Sequence, residues 1–410
     1  MSLNDTPRSE RVHIALFGMR NAGKSSIINA ITNQETAIVS EVKGTTTDPV
    51  YKAMEILPIG PCVLIDTAGL DDEGELGELR KKKTLEVLNK TNIALVVIDS
   101  STGLTSQDKF IIQQVKAKKI PVIAVLNKMD ITLVNDEFTE DIKKQLDIPI
   151  VFVSSTTKKG IKELKDKIIS MTTVEEEKFK ILGDLIRPGD FVVLVTPIDK
   201  AAPKGRLILP QQQTIRDILE SDAIAIVTKE HELKETLENL GKKPSLVITD
   251  SQVFLKVAAD TPKDIPMTSF SILFARYKGD LVELIKGVKA VEKLKDGDKV
   301  LVSEGCTHHQ QSDDIGRVKI PRWLRQITGK QLIFEYTSGV TFTEDVKKYA
   351  LIIHCGACML NRAEMLNRID AAKEFSVPMV NYGILIAYVQ GILDRALEPF
   401  PLAKMLWEEE

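Results

Sequence analysis

The most chemically specific stretch of this 410-residue chain is residues 18–25, G-M-R-N-A-G-K-S. The spacing G-x-x-x-x-G-K-S is a phosphate-loop pattern. Gly18 and Gly23 let the backbone turn tightly, so that successive N–H groups face phosphate oxygens. Lys24 is placed to reach β- and γ-phosphates and Ser25 to bind Mg²⁺, with Ser26 beside it in the first helical turn. Asp66-Thr67-Ala68-Gly69 follows an apolar run. An Asp there holds Mg²⁺ through water, and Gly69 lets a backbone N–H meet a γ-phosphate. Asn127-Lys128-Met129-Asp130 closes another apolar run. The Asp130 carboxylate suits the N1–H and 2-amino donors of guanine and rejects adenine, while the stem of Lys128 lies along the base. Ser154 and Ser155 end a later strand, with amides for the guanine oxygen. Thr45, Thr46 and Thr47 supply hydroxyls, one of them for Mg²⁺.

A second set lies in the last third. Glu304-Gly305-Cys306-Thr307-His308-His309 and His354-Cys355-Gly356-Ala357-Cys358 each follow an apolar run. Two strands of one sheet would gather three of the four cysteines with up to three of the five histidines. Three thiolates suit zinc or an iron–sulfur cluster. Zinc would take one histidine as fourth ligand. A cluster held by Cys306, Cys355 and Cys358 leaves one iron open to His308, His354, His309 or Glu304. A redox dithiol at Cys355 and Cys358 is a lesser alternative.

The elements that carry these residues read as α/β. Strand-like runs at 51–57, 62–67, 93–100, 121–128 and 150–155 alternate with helical patterns at 105–119, 136–146 and 160–170. That alternation predicts a mainly parallel sheet covered by helices, with ligands at the carboxyl ends of its strands. Residues 173–180 are charged and read as a linker into a smaller α/β unit without convergent catalytic residue types. The expected domains are 1–172, 173–262 and 263–410, the last opening on a long helix capped at Thr268 or Ser269 and running through Leu294. Apolar content of 43% and charged content of 28% are those of a soluble globular protein. A net charge of −3 argues against a dominant nucleic-acid surface. A polar N-terminal stretch and no membrane-length apolar run predict a cytoplasmic protein without membrane contact.

Residues 11–170 resemble the bacterial GTPases that include Era and MnmE-like proteins. The resemblance implies GTP binding and hydrolysis with switch segments near 33–50 and 68–85. It assigns Lys24, Thr46, Asp66 and Gly69 to the chemistry, with Thr46 and Ser25 on Mg²⁺. Asn21, Gly23, Ser25, Ser26, Asn127, Lys128, Asp130, Ser154 and Ser155 hold the nucleotide. Leu70 stands where Ras-like proteins carry a water-orienting glutamine. Asn21 sits as in potassium-activated members, where it helps bind K⁺ in place of an arginine finger; the plainer reading is a polar loop residue.

The whole chain, through C-x-H and H-C-x-x-C behind that GTPase domain, resembles the [FeFe]-hydrogenase maturation GTPase F family. This implies a homodimer with a GTPase domain, a dimerisation domain and a cluster-binding domain. It implies a [4Fe–4S] cluster on Cys306, Cys355 and Cys358, and a scaffold that takes a two-iron precursor from two radical-SAM maturases to apo-hydrogenase. His308, His354 and Glu304 remain either fourth ligands or neighbours of the cluster. The competing expectation is a tRNA- or ribosome-directed GTPase with a structural zinc domain.

Overall fold

The computed structural model describes residues 6–32, 49–69, 75–131, 136–176, 180–197, 207–305, 314–339, 342–343 and 345–409. Thr45, Thr46, Thr47, Leu70, Cys306, His308 and His309 lie outside the described residues. The chain divides into two units, 1–178 and 179–410.

The first unit contains β1 (Val12–Phe17), β2 (Val50–Ile56), β3 (Gly60–Asp66), β4 (Ile93–Asp99), β5 (Val122–Asn127) and β6 (Ile150–Phe152). They form one sheet in the order β2-β3-β1-β4-β5-β6. Every neighbouring pair is parallel except the antiparallel pair β2 and β3. The central strands are apolar throughout because both faces are covered. Ile14 and Leu16 of β1 face a core containing Ile27, Ile31, Leu164 and Ile168. Ala15 and Phe17 face the opposite core, with Val87, Ile111, Val115 and Ile142. The parallel arrangement delivers the ends of β1, β3, β4 and β5 to one edge, where the motif residues stand.

The second unit holds two sheets. β7 (Phe191–Val195), β8 (Ile224–Thr228), β9 (Leu246–Thr249) and β10 (Met267–Ser269) run in the order β10-β9-β7-β8. β11 (Lys299–Glu304), β12 (Ile333–Ser338), β13 (Leu351–His354) and β14 (Met379–Asn381) run in the order β12-β11-β13-β14. All pairs in both sheets are parallel. One apolar core joins them, with Val193 and Ile248 in the same cluster as Leu301 and Ile352.

Three sequence expectations change. β10 lies past the expected domain boundary at 262, yet it pairs with β9 and so completes the first of these two sheets. The helix that ends the first unit continues to Glu176, inside the expected linker. The long helix expected up to Leu294 is two helices. Ser269 caps Phe270–Lys278 by accepting the Ile272 N–H. Gly279 then takes an extended conformation, φ −120° and ψ −148°, which no α-helix can continue through. Asp280 caps the next helix, Leu281–Lys289, by accepting the Glu283 N–H.

Candidate functional site

The phosphate loop leaves β1 at Gly18, with φ +140°. A Cβ there would lie 2.2 Å from the Val97 carbonyl oxygen, so the close approach to β4 requires glycine. Gly23, with φ +96°, opens the helix Lys24–Thr32, and its missing Cβ leaves room for Asn127, whose Nδ2 would be 2.2 Å away. Asn21 adopts the left-handed region at φ +61°, with its side chain exposed. Lys24 is buried, and its Nζ donates to the carbonyls of Gly18 at 2.9 Å and Met19 at 2.8 Å. Its charge is thereby stored against the loop that a phosphate would occupy. Ser25 Oγ donates to Asp66 Oδ2 at 2.5 Å, which brings together the two oxygens expected at Mg²⁺. Ser26 is exposed beside it, and Gly69 is half-buried three residues beyond the end of β3. Thr67 Oγ1 donates to the Leu16 carbonyl at 2.6 Å and fixes the start of the D-T-A-G segment against β1.

The base end is equally ordered. Asn127 is fully buried; its Nδ2 donates to the Ala22 carbonyl at 3.0 Å and its Oδ1 accepts the Ser155 N–H at 3.1 Å. One side chain thus pins the phosphate loop to the segment after β6. Lys128, at φ +67°, donates from Nζ to Asp99 Oδ2 at 2.6 Å. Burial pushes the Asp99 carboxyl up, but hydrogen bonds from Lys128 and Ser101 outweigh it and leave the pKa below its ordinary value. Asp130 is exposed. Ser154 is buried and its Oγ accepts the Thr157 N–H at 3.0 Å. Asp99 escaped sequence reasoning, although it ends the run I-A-L-V-V-I-D as Asp66 ends β3.

In the second unit the parallel register sets Ser303 of β11 opposite His354 of β13. The two segments after these strands therefore emerge side by side. Gly305 N–H donates to Cys355 Sγ at 3.0 Å, and Cys355 N–H donates to the Ser303 carbonyl at 3.0 Å. Cys306 is the next residue after Gly305. Burial pushes the Cys355 thiol up to about 11, with the Gly305 and Ala357 amides opposing it. Glu304 is buried and accepts a hydrogen bond from the Tyr382 hydroxyl at 3.2 Å. Gly316 passes so close that a Cβ would lie 2.2 Å from the Tyr382 oxygen.

His354 is fully buried with both ring nitrogens engaged. Nδ1 lies 2.9 Å from the Cys355 carbonyl and Nε2 lies 3.0 Å from Arg368 Nη1. A carbonyl only accepts and a guanidinium only donates, so the proton sits on Nδ1. Burial, reinforced by the Arg368 charge, drives the imidazole pKa down to about 3. Arg368 is itself fully buried, with Glu364 as ion-pair partner at 3.3 Å and the Gly339 carbonyl at 3.1 Å. Arg368 was not singled out from sequence, where it is one charged residue on the helix Arg362–Glu374. Among the described residues no three His, Cys, Asp or Glu side chains form a metal-binding group.

The residues present suit a thiolate-held group. The amide before Cys306 already donates to Cys355 Sγ, the contact that a metal-bound thiolate accepts. Cys355 and Cys358 are half-buried cysteines in the segment that follows β13, and neither forms a disulfide.

Comparison with known proteins agrees with this division. Residues 13–128 match the model described as 50S ribosome-binding GTPase. The tRNA modification GTPase MnmE of Desulforamulus reducens is 34% identical over 248 residues, covering 60% of this chain and 50% of that protein. GTPase Der of a Sulfurihydrogenibium species is 34% identical over 174 residues, covering 40% of this chain and 38% of that one. The chain thus spans half or less of the length of these curated relatives. Among solved structures, Era of Aquifex aeolicus has a TM-score of 0.35 at 19% identity, over 56% of this chain and 98% of that one. Residues 181–279 match the hydrogen maturase F dimerization domain and residues 282–399 match the hydrogen maturase F tetramerization domain. With both of these models matched in order behind a GTPase domain, the chain belongs to the hydrogen maturase F family.

Proposed function

We propose that this protein hydrolyses GTP to GDP and phosphate and serves as an iron–sulfur scaffold in the maturation of [FeFe]-hydrogenase. Its cargo is a two-iron precursor, received with the help of two radical-SAM maturases and delivered to the apo-hydrogenase. The observation that supports this reading is the contact between Gly305 N–H and Cys355 Sγ, which sets the residue before Cys306 against the H-C-x-x-C segment in a chain that also carries a complete phosphate loop.

On the nucleotide side, a γ-phosphate entering the loop offers Lys24 a stronger acceptor than the two carbonyls it now holds. Ser25, Asp66 and Thr46 are the oxygens for Mg²⁺. Water attacks the γ-phosphorus as its bond to the β–γ bridging oxygen breaks, and negative charge grows on that oxygen. Leu70 has no polar atom with which to orient the water. The exposed Asn21 is the residue for K⁺, whose charge offsets the developing negative charge. Asp130 selects guanine, Lys128 leaves Asp99 to cover the base, and Asn127 keeps both ends in register.

On the metal side, Cys306, Cys355 and Cys358 would hold a [4Fe–4S] cluster, which with three thiolate ligands would leave room for the precursor to attach. With both nitrogens of His354 taken by Cys355 and Arg368, His308 and Glu304 are the stronger candidates for that fourth position. Ile224 and Val227 are exposed on β8, an edge strand inside the segment that matches the dimerization domain, which supports a homodimer.

The test is activation of an apo-[FeFe]-hydrogenase, with hydrogen evolution as the readout. Wild type incubated with both maturases should activate it, and a Cys306→Ser, Cys355→Ser, Cys358→Ser triple variant should not. Equal activation by both would overturn the scaffold reading.

A further inference from the structure

We propose that Asp99 is a positioning residue that competes with the nucleotide for Lys128 and so sets how tightly the protein holds guanine nucleotides. This rests on the assignment of Asn127, Lys128 and Asp130 to the guanine base.

Asp99 is the last residue of β4, and the parallel register sets it opposite Asn127, the last residue of β5. Lys128 is therefore the first residue past the sheet on the neighbouring strand. Its backbone turns there in the left-handed region, at φ +67°. Its Nζ donates to Asp99 Oδ2 at 2.6 Å, a charge-assisted hydrogen bond.

The two partners differ in freedom. Asp99 Oδ1 accepts the Ser101 N–H at 2.9 Å and the Ser101 hydroxyl at 2.6 Å. The Asp99 carbonyl accepts the Thr102 N–H at 3.2 Å and the Gly103 N–H at 3.0 Å. The carboxylate is thus fixed through its own side chain and through its backbone, in a turn that closes on itself. Lys128 reaches it through a flexible four-carbon stem. Its side chain is 30% exposed, against 13% for Asp99. Lys128 is the partner that moves.

The contact with Asp99 and the cover over a guanine are two positions of one side chain. For the stem to lie along the base, the ammonium must leave the carboxylate. Only molecules with Lys128 released can cover the base. The apparent dissociation constant is then the intrinsic one divided by the released fraction. Opening the pair leaves Asp99 two donors from Ser101 and some contact with water, so the penalty is below that of a fully buried pair. The result is a moderate weakening of nucleotide binding and a faster exchange of GDP.

Competition and a purely structural role predict opposite signs. If Asp99 only shaped the turn at residues 99–103, its loss would loosen the nucleotide. If it competes for Lys128, its loss tightens the nucleotide, and only while Lys128 is present.

The experiment uses the full chain with Mg²⁺ and a fluorescent GDP, read by titration and by release into excess unlabelled GDP. Asp99→Asn keeps an oxygen for the Ser101 N–H and loses the charge. Asp99→Ser keeps a shorter hydroxyl oxygen for the same turn, and circular dichroism during heating checks that each variant is folded. Lys128→Met keeps an apolar stem without the ammonium. The expected result is a fall of about tenfold in the GDP dissociation constant for Asp99→Asn and Asp99→Ser, the scale of one hydrogen bond to a charged group, with slower release. In a Lys128→Met background, Asp99→Asn should change nothing, because the two residues act as one pair. Unchanged or weaker GDP binding in a folded Asp99 variant overturns the inference, as does a gain that persists without Lys128. A wild type that binds GDP no better than ADP overturns the guanine-site assignment itself.

Discussion

The phosphate loop and the cysteine loop solve similar problems by different means. On the proposed function, each holds an anionic group at the carboxyl ends of parallel strands. The first does so with groups contiguous in sequence: backbone N–H groups between Gly18 and Ser25, a helix N-terminus and one lysine. The second assembles its groups from distant elements. The segment after β11 supplies Gly305, the segment after β13 supplies Cys355, and the helix Arg362–Glu374 supplies Arg368. A local site can be read from spacing, whereas an assembled one depends on register and on buried charges that no motif encodes.

That contrast can be broken by variants that should affect one site and spare the other. The largest effect is expected at Arg368, whose removal strands Glu364 in the second unit. Arg368→Met should destabilise that unit by about 3–5 kcal/mol, the usual consequence of leaving one member of a buried ion pair. Tryptophan fluorescence during urea unfolding checks this, and GTP affinity should not change.

Lys24→Ala should lower the GTP hydrolysis rate by about 10²–10³, the scale for losing one charge-stabilising donor. Iron uptake should stay at the wild-type level. A matching loss of iron would show that the two sites are not separately built.

Asn127 sharpens the comparison because it ties the phosphate loop to a segment far from it in sequence. Asn127→Ala leaves the Ala22 carbonyl and the Ser155 N–H unmatched. A penalty of about 1–3 kcal/mol, or roughly a ten- to hundredfold rise in the GTP dissociation constant, is expected. Fluorescent nucleotide titration reads it directly.

The smallest effect concerns acid stability of the first unit alone. His13 on β1 is buried, with Nδ1 2.9 Å from the Arg11 carbonyl. Burial holds its pKa down to about 4. Above pH 6.5 the imidazole is neutral in both folded and unfolded chains. Between 6.5 and 4 the unfolded chain binds a proton that the folded chain refuses, so stability falls as pH falls. From pH 6.5 to 5 this amounts to about 2 kcal/mol. Calorimetry should show the first unit's transition dropping with pH more steeply in wild type than in His13→Asn.

The same contrast decides what was legible in the sequence. Gly18, Lys24, Asp66, Asn127 and Asp130 declared themselves because their spacing is the chemistry. Cys355 and Cys358 were visible as a pair, but their place beside Gly305 needed the Ser303–His354 register. His354 looked like a ligand because it adjoins Cys355; only its packing reveals that Arg368 and a carbonyl use both nitrogens. β10 and β14 have three residues each, too few for an alternating pattern. The break at Gly279 was signalled by Gly-Asp, a helix end followed by a cap, within an otherwise continuous helical pattern.

The central claim is that one chain joins a GTPase to a cluster held by three thiolates. Its most direct test is anaerobic iron–sulfur reconstitution, followed by metal analysis and EPR. Wild type should carry about four irons per chain with a reducible cluster signal, and the Cys306→Ser, Cys355→Ser, Cys358→Ser triple variant should carry none while still hydrolysing GTP. Stoichiometric zinc without iron in the wild type would contradict the account and point to a GTPase with a structural zinc domain.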